Sequence, residues 1–221
     1  MKFTDVLYEN TKEIWEKYYS HPFIEGITRG NLDIEKFKFY MIQDYFYLYD
    51  YAKLFALALI KTDDRKLIEN FAKSIDYTIN GEMEIHRSYM RKLGIDDEDL
   101  GNERKALLTT SYTSYMLNQA QRKGCDIVII SLLSCAWTYA EIAKKINEKN
   151  SDIRNHEFFG QWLTGYLSDD FQNEADFYKN FVNEFAQNIT EEKQNEYIEI
   201  FKTCCIYELK FWDMAYNQSY D

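Results

Sequence analysis

The sequence predicts an all-α fold, and three features point to it together. One proline, Pro22, and eight glycines interrupt 221 residues rich in helix formers. Valine, the commonest strand residue, stands only at Val6, Val128 and Val182. Apolar residues recur at helical spacing in segments closed by turn chemistry, which gives about eight helices. No Gly/Ser/Pro-rich stretch or composition shift marks an internal boundary, so residues 1–221 read as a single domain, a compact helical bundle.

The first helix covers roughly residues 4–20 and stops at His21-Pro22. A loop through Gly26 and Gly30 follows, and Asp33 caps a long helix to about residue 60. Thr62 and Asp63 cap the next, which ends near Gly94. An acidic loop, DDEDLGN, leads to a helix over about 103–123 that Gly124 closes at its C-terminal end. Asp126 starts another to about residue 149, and shorter helices lie near 156–167 and 170–188. Thr190 with Glu191 and Glu192 opens the last, to about residue 216.

Composition excludes several classes of partner. A formal charge of −11 repels phosphate backbones and anionic membrane surfaces, so no nucleic acid and no membrane partner is expected. FALALI at 55–60 is the longest clean apolar run, far short of the roughly 20 residues a bilayer requires. The N-terminus carries no signal-peptide h-region, and Cys125, Cys135, Cys204 and Cys205 form no CxxC pair. Free thiols in a reducing compartment, the cytoplasm, are the expectation. Nineteen tyrosines exceed what plugging a helical core requires, since each ring brings a hydroxyl that must find a partner. A single tyrosine of this kind is ordinarily core, and only clustering distinguishes a pocket for a flat ligand.

Three helical stripes carry candidate chemistry. Asp44, Tyr47 and Tyr51 stand at i, i+3 and i+7, so a carboxylate shares one face with two phenols. An inward-facing Asp44 needs a partner, either from the protein or from a ligand. Cys135 precedes Tyr139 by one turn inside IISLLSCAWTYAEIA. A cysteine in such a setting is ordinarily an inert small hydrophobe. Glu208, Phe211 and Trp212 stand at i, i+3 and i+4 in YELKFWDMAY, and a carboxyl desolvated among aromatics can work as acid or base unless it points outward beside Lys210.

A metal reading competes with these. Glu82 and His86 are one turn apart and resemble half of a di-metal carboxylate site that Glu141 and His156 would complete, but the second Glu–His helix pair is missing. No metal and no cofactor are expected, and Glu82 and His86 read as a structural or surface pair. No Gly-rich phosphate loop, nucleophile-elbow serine or zinc spacing occurs.

The stretch HPFIEGITRGNLDIEKFKFYMIQDYFYL resembles the N-terminal signature of the TenA/thiaminase II family. SYTSYM around Tyr112, CAWTYAE around Cys135 and Tyr139, WLTGYLS around Tyr166 and YELKFWDMAY around Glu208 follow in family order, so the resemblance covers essentially the whole chain. It implies a haem-oxygenase-like all-α fold without haem, a homotetramer, and thiamin salvage. The reaction it implies is hydrolysis of the exocyclic C–N bond of 4-amino-5-aminomethyl-2-methylpyrimidine, or of thiamin itself, to the hydroxymethyl-pyrimidine. By matching position Cys135 would be the nucleophile and Glu208 the acid/base group. Asp44 would hold the amidine edge, with Tyr47, Tyr51, Tyr112, Tyr139, Tyr166 and Phe211 lining the ring, and Asp44, Cys135 and Glu208 would converge on one aromatic-walled pocket. A di-metal oxidase of the same fold and a non-catalytic pyrimidine-binding regulator are the alternatives. The leaving group, ammonia or thiazole, is not specified by the sequence.

Overall fold

Every regular element among the described residues is helical, as the sequence predicts. The computed structural model describes residues 2–95 and 97–221, for 97–99 the backbone alone. The α-helices are α1 (Phe3–Tyr19), α2 (Pro22–Arg29), α3 (Ile34–Leu59), α4 (Arg65–Asp76), α5 (Met83–Lys92), α6 (Asp97–Asn102), α7 (Leu107–Arg122), α8 (Cys125–Lys149), α9 (Gly160–Tyr166), α10 (Asp169–Phe185) and α11 (Glu191–Asn217). A π-helical segment, Tyr77–Glu82, joins α4 to α5, and short 3-10 turns lie at Ser151–Asn155 and Ala186–Asn188.

The additional helices come from local chemistry. The loop expected at Gly26 is helix α2, in which Pro22 occupies the first turn, where its missing N–H costs nothing, and the Nδ1 of His21 accepts from the Phe23 N–H at 3.1 Å. Phe23, Ile24 and Ile27 are buried along it, and Gly30 ends it at φ +70°, the left-handed conformation that glycine adopts without strain. Asp64, rather than Thr62 or Asp63, caps α4 by accepting from the N–H groups of Lys66 and Leu67. The stretch expected as an acidic loop is helical as α6, with its first residue, Asp96, outside the described residues.

The residues gather into two units, 1–33 with 129–213 and 34–128 with 214–221. In the second, α3 is the spine against which α4, the π-helical segment, α5 and α7 pack. Residues 103–106, read from the sequence as the start of a helix, are instead drawn out of it by side chains. Lys105 binds Asp50 at 2.5 Å, Tyr220 bonds Glu103, and the carboxamide of Gln43 holds Arg104 and Ala106. Gln43, fully buried, donates to the Arg104 carbonyl at 2.9 Å and accepts from the Ala106 N–H at 2.8 Å and the Thr109 hydroxyl at 2.9 Å. Helix α7 therefore begins at Leu107.

In the first unit α1 packs on α10 and α2, and Trp15 meets Trp137 edge-on at 4.9 Å between ring centroids. Ala136, Ala140 and Ala175 form a small-residue contact between α8 and α10 that Phe171 covers. Helix α8 is the one described helix long and apolar enough to cross a membrane, even with Ser131, Ser134 and Thr138 within its apolar run; most of that run is buried inside the protein. The FALALI stretch thus understated the apolar length available. The serine and threonine hydroxyls turn back onto their own helix, Ser134 donating to the Ser131 carbonyl at 2.8 Å and Thr138 to that of Cys135 at 3.2 Å.

Gln43→Leu keeps the volume and removes all three hydrogen bonds, leaving a carbonyl, an N–H and a hydroxyl to find new partners. The expected loss is about 2–4 kcal/mol of stability, or roughly 5–15 °C in Tm for a chain of this size. Differential scanning calorimetry measures it, and a melt within 2 °C of wild type, to about the resolution of such a comparison, would remove Gln43 as the anchor.

Candidate functional site

Helix α3 carries Tyr40, Asp44, Tyr47 and Tyr51 down one buried stripe. Asp44 is 5% exposed, and its Oδ2 meets the Nε2 of His86 at 2.7 Å and the hydroxyl of Tyr40 at 3.5 Å. The partner that an inward-facing Asp44 requires is thus an imidazole from the protein, since the Tyr40 hydroxyl lies at the far limit of hydrogen-bond range. Oδ1 accepts no hydrogen bond among the described residues. Beyond the carboxylate, the ring of Tyr47 stacks on Tyr51 at 5.4 Å and lies 5.4 Å from the ring of Tyr112 on α7. A carboxylate with one oxygen held and the other open, on a stripe with a tyrosine stack, suits a flat ring bearing an amino group.

The π-helical segment brings His86 to Asp44. Buried positions on α4 run Leu67, Phe71, Ser74 and Thr78 at α-helical spacing, and the next is Met83, five residues on. That single wide turn moves the stripe by one residue, so His86 and Met90 face inward while Ile85 is 37% exposed. Gly81 makes room for it, since a Cβ there would lie 3.1 Å from the Tyr77 ring. The second nitrogen of His86, Nδ1, meets the Glu82 carbonyl at 3.0 Å. Burial acts to lower the pKa of the imidazole, but the hydrogen bond and charge of Asp44, with Glu82, outweigh it and raise the pKa from its ordinary 6.5.

In the other unit, α8 carries Cys135 and Tyr139 one turn apart, and Tyr139 sits 4.9 Å from the ring of Tyr166 and 5.2 Å from that of Trp212. Helix α11 buries Glu208, at 3% exposure, together with Phe211 and Trp212, and Phe23 covers Trp212 at 5.3 Å. Glu208 therefore points inward, away from the alternative beside Lys210, which pairs with Asp213 at 3.1 Å. Of the predicted residues, Asp44, Tyr47, Tyr51 and Tyr112 belong to one unit, and Cys135, Tyr139, Tyr166, Glu208 and Phe211 to the other.

The four thiols are not equivalent. Cys204 and Cys205 are fully buried, and Cys135 and Cys125 are partly exposed. Burial pushes the Cys204 thiol up to about 12 against the opposing hydrogen bonds of Ser134 and Ser131, and it pushes Cys205 higher still. Cys125 is pushed up to about 12 by burial and by Asp126. The metal candidates are separately engaged. His86 bonds Asp44 and Glu82, Glu141 pairs with Lys144, and His156 Nδ1 accepts from the Phe158 and Phe159 N–H groups. Among the described residues no three metal-ligating side chains come together. The sequence singles out His86 only beside Glu82; its pairing with Asp44 is what that reading missed, and the five-residue step between the buried Thr78 and Met83 is the signal of it.

A family model described as the TENA/THI-4/PQQC family matches residues 8–218. An aminopyrimidine aminohydrolase from Halalkalibacterium halodurans is 42% identical over 99% of this chain and 97% of that protein. One from Helicobacter pylori is 38% identical over 98% of this chain and all of its own length, 100%. Among solved structures, a TenA homologue from P. horikoshii OT3 superposes with a TM-score of 0.89 at 27% identity, covering 98% of this chain and 99% of that one. The haem-oxygenase-like all-α fold implied by the sequence resemblance is the fold observed.

Alkylation of the native protein with iodoacetamide at pH 8 is expected to modify Cys135 first and to leave Cys204 and Cys205 untouched until unfolding, because burial and the raised pKa values withhold their thiolates. Peptide mass mapping reads the order. Labelling of Cys204 or Cys205 ahead of Cys135 in folded protein would overturn it.

Proposed function

The chain belongs to the TENA/THI-4/PQQC family, and within it we propose an aminopyrimidine aminohydrolase of thiamin salvage. It would cleave the exocyclic C–N bond of 4-amino-5-aminomethyl-2-methylpyrimidine, and also of thiamin. The observation that carries this reading is Asp44, a buried carboxylate with an open oxygen on the stripe of Tyr47, whose ring stacks on Tyr51 and lies 5.4 Å from that of Tyr112. The names of the H. halodurans and H. pylori relatives, at 42% and 38% identity over nearly the whole chain, support it independently.

In this reading Asp44 accepts a hydrogen bond from the ring's amino group, and the tyrosines sandwich the ring and exclude water. The Cys135 thiolate adds to an electrophilic carbon of the protonated aminopyrimidine, forming a C–S bond, and the ring electrons expel the exocyclic amine as Glu208 protonates it. Water then adds at the exocyclic carbon, Glu208 takes its proton, and the C–S bond breaks to return the thiolate. The net change is aminomethyl-pyrimidine plus water to hydroxymethyl-pyrimidine plus ammonia. No cofactor enters. Cys135 is favoured over the other three thiols, whose pKa values are raised by burial. We propose further that residues 1–221 act as one catalytic domain in a cytoplasmic homotetramer, for which exposed apolar side chains such as Ile60, Leu107 and Ile206 offer surface. Light scattering showing a monomer at micromolar concentration would count against the tetramer.

The test is incubation of the purified chain with aminomethyl-pyrimidine and with thiamin, following hydroxymethyl-pyrimidine by chromatography. Tight binding without product would move the assignment to a pyrimidine-binding regulator, and turnover dependent on added iron would move it to a di-metal oxidase. Cys135→Ser is expected to lower kcat by roughly 10²-fold or more, since a neutral hydroxyl is a poor nucleophile. Glu208→Gln is expected to lower kcat by roughly 10²–10⁴-fold with the fold intact. Asp44→Asn is expected to raise KM as well as lower kcat. An active Cys135→Ser beside a dead Cys204→Ser would reassign the nucleophile.

A further inference from the structure

His86 has both ring nitrogens engaged, and its two partners fix its protons. The Glu82 carbonyl can only accept, so Nδ1, 3.0 Å away, carries a hydrogen. A neutral ring in that tautomer would turn the Nε2 lone pair toward Oδ2 of Asp44, and at 2.7 Å two lone pairs repel. One further proton therefore lies between Nε2 and Oδ2. The charged and titratable groups acting on the ring are Asp44 from α3 and Glu82 from the π-helical segment, with the Tyr40 hydroxyl of α3 on the same carboxylate oxygen. Burial of the ring opposes its protonation, but the hydrogen bond and charge of Asp44, with Glu82, more than offset it and raise the pKa of the imidazole, the direction that favours the proton on Nε2.

We propose that His86 is a positioning residue: as an imidazolium it holds Oδ2 of Asp44 so that Oδ1 is presented, charged and fixed in direction, to the amino group of the aminopyrimidine. The proposal rests on the role given above to Asp44. It has two consequences. The buried pair is neutral overall, so no carboxylate is left uncompensated when the site is empty. The π-helical turn, which alone sets His86 rather than Ile85 against α3, becomes part of the binding apparatus.

The sign of the pH dependence follows from the raised pKa. The imidazolium persists above 6.5, and it is lost as pH rises through the elevated value, after which Nε2 repels the carboxylate. KM should therefore climb on the alkaline side. Two measurements on the full chain test this. In the ligand-free protein, long-range proton–nitrogen spectra of ¹⁵N-histidine, with His86→Gln providing the assignment, should show both His86 nitrogens protonated at pH 7, and Asp44→Asn should return the ring to a neutral tautomer. In steady-state kinetics with aminomethyl-pyrimidine, His86→Leu should raise KM by roughly 10- to 100-fold, the worth of one charge-assisted hydrogen bond, with a smaller change in kcat. His86→Gln offers an amide N–H at the place of Nε2; it should recover most of the KM at pH 7 and abolish the alkaline rise.

A neutral His86 in a wild-type protein that turns over substrate overturns the charged pair while leaving the enzyme assignment standing. A doubly protonated His86 in a protein that neither binds nor hydrolyses any aminopyrimidine overturns the enzyme assignment and the positioning role with it. Loss in both variants of kcat in step with Tm, and KM unchanged, would reduce His86 to a structural residue.

Discussion

A carboxylate buried in a helical core must be matched by a donor or a cation, and the match of Asp44 to His86 constrains much of the unit built on α3. The pair lies at 2.7 Å with both side chains almost wholly buried, so breaking either half would strand the other in a medium that solvates it poorly. Meeting that requirement from a neighbouring helix fixes the rotation of α5. An uninterrupted α-helix from Arg65 would have set Ile85 in line with Thr78 and left His86 outside. One wide turn over Tyr77–Glu82 corrects the phase, at the cost of poorer backbone hydrogen bonding, and Gly81 accommodates the Tyr77 ring that closes over it.

The same economy governs the stretch before α7. Residues 103–106 have good helix formers and read as a helix start, yet Gln43, Asp50 and Tyr220 each bind a residue of that stretch. Asp50 is a second buried carboxylate on α3, and Lys105 and Lys53 hold its pKa below the usual range against the upward push of burial. Helix α3 therefore carries two carboxylates with different partners. Asp50 is paired with amines that tie down the chain, whereas Asp44 keeps an oxygen open.

Much of this was legible in the sequence, and what was not has identifiable causes. The all-α class, the long helices α3, α8 and α11, and the stripe of Asp44, Tyr47 and Tyr51 follow from periodicity, which burial of one face enforces. Helix α2 was hidden because Pro22 reads as a breaker when it stands at a first turn. The partner of Asp44 was hidden because a regular 3.6-residue period, carried across Tyr77–Glu82, places His86 on the wrong face. The roles of Cys135 and Glu208 came from resemblance alone. No spacing rule distinguishes a catalytic cysteine in an apolar helix from one that merely packs.

The surroundings of Glu208 supply a physical basis for that distinction. Cys204 and Cys205 stand one turn before it on α11, and the hydroxyl of Tyr18 reaches the same turn, donating to the Cys205 carbonyl at 2.5 Å. Burial is the main reason these three groups resist ionisation, and a negative charge on Glu208 adds to it in each case. A carboxylate placed there suppresses the thiolates nearest to it along its own helix. A thiolate formed on that turn of α11 would be opposed by any negative charge on Glu208. Cys135 is carried instead on α8, partly exposed and one turn before Tyr139, off the helical turn whose thiols Glu208 suppresses.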